Sequence, residues 1–224
     1  GFDVLGAAIS SIDTQTRIGD IVTIEPAIDA QTRLHCEGPY AHVLPEDPKA
    51  NLVTLCLELF IHATKDQFTE FPALTVSLEK NLPICSGLGS SASSIVAALH
   101  ALNEYFDRPL NRQQLLNLCG KAEGSISGGV HYDNVAPCLL GGLQLMTQNK
   151  SSPCERLPFF KHFYFVICYP GIEISTKQAR SILPETIPLT KATRYWQNLA
   201  SLVQALHTEN LPLMLACFQD NLIE

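Results

Sequence analysis

The chain has 224 residues, 46% hydrophobic and 17% charged, with 15 Lys and Arg against 22 Asp and Glu for a net charge of −7. That length supports one large or two modest domains with a real core, and the acidic balance excludes the electrostatic footprint expected for nucleic acid or anionic lipid. No apolar run approaches the roughly 20 residues of a membrane-spanning helix, which leaves a small molecule as the expected partner.

In chain order, "GDIVTIE" (Gly19 to Glu25) alternates with period two and predicts a half-buried strand, followed by a loop rich in Pro, Asp and Gly. "NLVTLCLELFIH" places Leu52, Cys56, Leu59 and Phe60 at helical spacing and predicts a core-facing helix. "LTVSLEK" alternates Leu74, Val76 and Leu78 as a strand that stops before Pro83. Ile95, Leu99, Leu102 and Phe106 mark a helix opening near Ser90 or Ser91, and Asn111 caps another that is expected to end at Gly124. "GLQLMT" and "FYFVICYP" predict two further strands on either side of the polar "QNKSSPCERLP", where a domain boundary is expected. A short helix near Thr176 to Leu183 and a longer one from about Thr190 to His207 complete an α+β pattern.

The eight cysteines form no CxxC pair, which removes zinc knuckles, and Cys56, Cys119, Cys138, Cys168 and Cys217 lie in apolar runs as small hydrophobes do. That usage predicts the reducing cytosol.

Between the "LTVSLEK" strand and the next helix runs "PICSGLGSSASS", Pro83 to Ser94. Glycines at 87 and 89 let the backbone come close to a guest, and free N–H groups at the helix start point at bound oxygens, so the stretch suits phosphate. A tight strand-to-helix turn made of small residues is the plain alternative. A Walker loop fails for want of a lysine between Lys80 and Lys121. The dinucleotide fingerprint matches Gly87, Gly89 and Ala92, with Asp107 about twenty residues on, but that acid should end a second strand and instead sits between two predicted helices.

The stretch closely resembles the P-x-x-x-G-L-G-S-S-A motif of the GHMP kinases, and "GFDVLG", "EGSISGGVHYDNVAPCLLGG" and "YPGIEISTKQARSILP" resemble the homoserine kinases of that family. The resemblance runs from Gly1 to Glu224. It implies a two-domain GHMP kinase fold: a ribosomal-protein-S5-domain-2-like ATP-binding domain over residues 1–150 and an incomplete ferredoxin-like domain over 151–224. It further implies transfer of the γ-phosphoryl of ATP to the hydroxyl of L-homoserine with Mg²⁺, in the cytoplasm and in threonine biosynthesis, with a homodimer as an open alternative.

By the same resemblance the loop Pro83, Ile84, Cys85, Ser86, Gly87, Leu88, Gly89, Ser90, Ser91, Ala92 and Ser93 wraps the ATP phosphates. Cys85 stands where the family commonly has glycine, and Asn51 corresponds to a segment bordering the adenine. Ser91, preferred over Ser90, and Glu123 are the expected Mg²⁺ ligands, although a glutamate at such a place is ordinarily a surface residue. Asp133 is the expected base or orienting group and Asn134 a polar stabiliser, the alternative for both being a helix cap. His131 is expected to contact substrate, Asp3 to meet the ammonium and Arg180, with Thr176 one turn before it, the carboxylate. Alternatives are another small-molecule GHMP kinase of mevalonate or sugar type, a non-catalytic ligand-binding member, and a dinucleotide-dependent oxidoreductase. The family's first strand, a later substrate-contacting arginine and a second glycine-rich segment are not found between Gly1 and Glu224, so a longer intact polypeptide is expected, with aggregation or little activity for these residues alone.

Overall fold

In the computed structural model, which describes residues 3–13, 18–127, 129–149 and 151–218, strand β4 (Leu74–Glu79) is the central strand of one sheet. Its alternation puts Leu74, Val76 and Leu78 on one face, each 2% exposed or less. Strand β2 (Ile21–Pro26) pairs antiparallel along one edge, with Ile24 opposite Val76. Strand β3 (Arg33–Glu37) pairs parallel along the other, with Leu34 opposite the same valine. β3 lies in the segment expected to be loop. Its sequence, RLHCE, alternates Leu34 and Cys36 with polar residues over only five positions, and pairing with β4 is what makes it a strand.

Helix α1 (Leu52–Thr64) buries Val53, Cys56, Phe60 and Thr64 at intervals of three and four, sharing Cys56 and Phe60 with the expected stripe, while Leu52 and Leu59 are only half-buried. Helix α2 (Ser90–Tyr105) packs against the sheet and against α1, with Ile95, Leu99 and Leu102 at 0–1% exposure. Beyond its last turn Phe106 collects Phe60, Phe68 and Phe71 at ring separations of 5.2–5.6 Å. Truncating one such buried leucine would cost about 2–5 kcal/mol, comparable with the whole stability of a domain, so α2 is a rigid base for what precedes it.

Helix α3 (Arg112–Ser127) opens with a reciprocal cap: Gln114 N donates to Asn111 Oδ1 at 3.0 Å and Asn111 N to Gln114 Oε1 at 2.8 Å. It does not stop at Gly124 as expected. The bare Cα of that glycine faces Val130, where a Cβ would lie 3.2 Å from a methyl group, so this glycine serves close packing within the helix. Helix α4 (Val135–Leu140) follows and buries Val135, Ala136 and Pro137.

A second, antiparallel sheet has the order β1 (Leu5–Ala7), β5 (Leu143–Met146), β6 (Cys154–Leu157). Leu157 joins Ala205 and Leu206 of helix α6 (Leu189–His207) and Met214 of helix α7 (Leu211–Ala216) in a separate small core. The boundary expected after residue 150 falls between β5 and β6, which pair with each other, Met146 opposite Cys154. "FYFVICYP" is not a strand: residues 163–170 have no regular structure, and Val166 is 96% exposed. Strand-forming side chains there find no neighbouring strand among the described residues to accept their backbone groups. The short helix α5 (Thr176–Ser181) lies beyond them.

Candidate active site

The glycine loop leaves β4 and enters α2 through three residues with positive φ: Cys85 at 56°, Gly87 at 76° and Gly89 at 68°. Gly89 is the cap residue of α2, and its left-handed backbone is one that a side chain would strain. Ser86 closes the loop on itself, its hydroxyl donating to the Pro83 carbonyl at 2.8 Å and accepting from Leu88 N at 3.3 Å. The first N–H groups of α2 have no intrahelical acceptor, as at any helix start, and with the glycines they suit the binding of an anion.

The two serines after Gly89 part company. Ser90 is buried, its hydroxyl donating to the Leu82 carbonyl at 3.0 Å. Ser91 sits one helical step round, with Oγ 3.2 and 3.4 Å from the two carboxylate oxygens of Glu123 on α3. Hydroxyl and carboxylate on neighbouring helices at the mouth of a phosphate cradle suit the hard oxygen coordination of Mg²⁺, which takes few protein ligands beside phosphate and water. Among the described residues no group of three or more His, Cys, Asp or Glu is placed to hold a metal ion.

Asp133 and Asn134 arrive at the same loop from α4. The position a Cβ on Gly89 would take is 3.2 Å from Asn134 Oδ1. Asn134 is the cap residue of α4, yet its side chain makes no capping bond there, and its Nδ2 donates instead to Asp133 Oδ2 at 3.2 Å. Gly6 of β1 packs on this corner so tightly that a Cβ would lie 1.8 Å from the Asp133 carbonyl oxygen, which fixes that carbonyl against the strand. Just before β1, Asp3 reaches His131, with Oδ2 3.0 Å from Nδ1. The segment ahead of α5 also meets the loop, Ile174 N donating to the Cys85 carbonyl at 3.1 Å.

Of the expected residues, Glu123 meets the loop at Ser91 and Asn134, bonded to Asp133, meets it at Gly89, while Asp3 and His131 pair with each other and two more are turned to other duties. Asn51, expected beside adenine, is 4% exposed and committed to capping α1, its Oδ1 accepting from Val53 N at 3.0 Å. Ser93 turns its hydroxyl away from the loop, to accept from Asp20 N at 2.8 Å. Thr176 and Arg180 belong to α5, and their side chains lie outside the described residues. Asp107 sits in the turn between α2 and α3 with φ 58°, ending no strand, so the ribose acid of a dinucleotide site is missing from its place. The sequence reading overlooked Lys80 and Asp20, a buried ion pair beneath the loop, because a lysine at a strand end looks like a surface residue.

Residues 51–142 match the family described as GHMP kinases N terminal domain. Homoserine kinase from Cytophaga hutchinsonii is 29% identical, with a TM-score of 0.83 over 99% of this chain and 67% of that one. L. major mevalonate kinase in complex with R-mevalonate is 21% identical, with a TM-score of 0.59 over 88% of this chain and 64% of that one. Streptococcus pneumoniae phosphomevalonate kinase in complex with phosphomevalonate and AMPPNP is 13% identical, with a TM-score of 0.61 over 87% and 67%. The last two likenesses speak for the fold alone. The chain spans about two thirds of the length of the solved structures it matches.

Proposed function

We propose, from the match of residues 51–142 to the GHMP kinases N terminal domain and the likeness to a homoserine kinase, that this chain acts as a cytosolic homoserine kinase, transferring the γ-phosphoryl of ATP to the side-chain hydroxyl of L-homoserine to give O-phospho-L-homoserine and ADP. The observation that carries the reading is the meeting of distant segments on the glycine loop: Ser91 with Glu123, Gly89 with Asn134, and Cys85 with Ile174. Homoserine is favoured over other acceptors because the likeness to the Cytophaga hutchinsonii homoserine kinase covers 99% of this chain.

In this reading the N–H groups at the start of α2 hold the triphosphate, and Ser91 and Glu123 hold Mg²⁺, which when bound neutralises charge on the transferred group. Phosphoryl transfer through a loose transition state asks the protein mainly for positioning. Asn134, held against Gly89, and Asp133, bonded to it, face the place where the acceptor hydroxyl must lie, and Asp133 orients that hydroxyl or takes its proton. An amino-acid acceptor needs an anion for its ammonium and a cation for its carboxylate. Asp3, paired with His131, supplies the first, and Arg180 with Thr176 on α5 supplies the second.

The test is a coupled assay of ADP release by the intact protein with L-homoserine, mevalonate, phosphomevalonate and galactose as acceptors. Homoserine-dependent release is expected. Turnover of another acceptor alone would transfer the reading to that substrate, and nucleotide binding without any turnover would mark a non-catalytic member of the fold.

A further inference from the structure

Lys80 closes β4 on the core side and is 2% exposed, although lysine is almost never buried without a partner. Its ammonium has three protons, and each has an acceptor: the Asp20 carboxylate, the Ser90 carbonyl at 3.0 Å and Ser94 Oγ at 3.1 Å. Asp20, whose side chain is fully buried, is equally engaged. Its Oδ1 accepts from Asn81 N at 2.9 Å and Leu82 N at 3.1 Å, and its Oδ2 accepts from Ser94 Oγ at 2.6 Å as well as from Lys80.

These partners bracket the glycine loop. Asn81 and Leu82 are the last residues before Pro83, and Ser90 is the first after Gly89. Both ends of the loop are thus fastened to one ion pair, and Ser90 Oγ to Leu82 O closes the ring at 3.0 Å. Stability alone does not explain the charges, since a buried ion pair is often replaceable by apolar groups at little cost. A loop with two glycines at positive φ has much conformational freedom to lose on gripping a ligand, and fixing its ends beforehand removes part of that cost.

We propose that Lys80, Asp20 and Ser94 form a positioning device for the nucleotide loop, which sets the separation of its ends and so the direction of the N–H groups that meet the phosphates. The inference rests on the kinase reading. It makes nucleotide affinity depend on a buried ion pair that does not touch the nucleotide.

The intact protein is compared with Ser94→Ala and Lys80→Met, reading the Kd of ADP–Mg²⁺ by calorimetry and the KM values of ATP and acceptor. Alanine is the best helix former, and Ser94→Ala leaves both charges paired, so this variant folds. It removes the hydrogen bonds of Ser94 Oγ with Asp20 and Lys80 and is expected to weaken ADP–Mg²⁺ binding by no less than about fivefold, the worth of one of them, while the acceptor KM moves less than about twofold. Lys80→Met should weaken nucleotide binding further, and if it fails to fold, Ser94→Ala decides alone. A merely structural role would lower the melting temperature and leave the Kd of the folded protein unmoved, and that result overturns the proposal. Wild-type protein that binds no ADP–Mg²⁺ would instead overturn the kinase reading itself.

Discussion

In the proposed function, Glu123 and Asp133 carry the two chemical demands that a phosphoryl transfer places on single side chains. Glu123 is half-buried on α3 and meets Ser91 at 3.2 Å, so Glu123→Gln keeps the shape and the fold while removing a charge from the proposed Mg²⁺ shell. The Mg²⁺ concentration for half-maximal rate should rise by no less than the roughly 10–100-fold that loss of an outer-shell partner costs. An unchanged Mg²⁺ titration would remove Glu123 from the site. Asp133→Asn separates two mechanisms at the other side of the loop. A true base should cost about 10²–10⁴-fold in kcat, whereas a residue that only orients the hydroxyl should cost under about tenfold, as single-turnover rates would show.

At the scale of elements, the loop stores strain and the helix pair beneath it stores protons. Cys85 adopts φ 56°, a conformation that costs a residue with a Cβ about 1–2 kcal/mol. Glycine would relieve that but lose roughly 0.5–1 kcal/mol through its freer unfolded chain, so Cys85→Gly should be neutral to about 1.5 kcal/mol stabilising. Cys85→Val, β-branched and stiffer, should be clearly destabilising, and urea denaturation of the two variants orders them. Under α2, burial pushes the Cys119 thiol of α3 up to about 12 and raises the Cys56 thiol of α1 as well, with the neighbouring Cys119 adding to the latter. Folding therefore favours the neutral thiols. Their contribution is complete below the ordinary thiol range near 9 and is lost as pH rises from there through about 12. Stability should fall between pH 9 and 11 by up to about 1.4 kcal/mol per pH unit for each thiol. Cys119→Ala should flatten that slope in urea titrations, and an unflattened slope would show that the thiol titrates normally.

Over the whole molecule, two cores are separated by their helices: one around β4 and α2, the other between β6, α6 and α7. No helix among the described residues is long and apolar enough to cross a membrane. Between β6 and α5 the chain exposes Tyr164 at 73%, Val166 at 96% and Ile172 at 62%, large apolar side chains open to water. Val166→Lys with Ile172→Ser should reduce concentration-dependent association of the 224-residue chain in sedimentation velocity. Unchanged association would place the sticky surface elsewhere.

Much of this molecule was legible locally. The alternation of Leu74, Val76 and Leu78 and the stripe of Ile95, Leu99 and Leu102 are periodicities that each segment carries within itself, and both elements form where that pattern predicts. The glycines, small residues and helix start of the loop between them are equally local signals, suited to an anion, although its ends are fastened to the distant Asp20. Long-range pairing decided the rest. RLHCE became β3 because β4 offered it an edge, CERL became β6 because β5 did, and FYFVICYP, with the stronger strand propensity, found no edge among the described residues and is irregular. The same holds at the site. Sequence could nominate Ser91, Glu123 and Asn134, but only the packing of α2, α3 and α4 brought them to one loop, and only the fold turned Asn51 and Ser93 away to other duties. Lys80 and Asp20 lie sixty residues apart, and burial of an ion pair is a property of what surrounds it, which the chain acquires on folding.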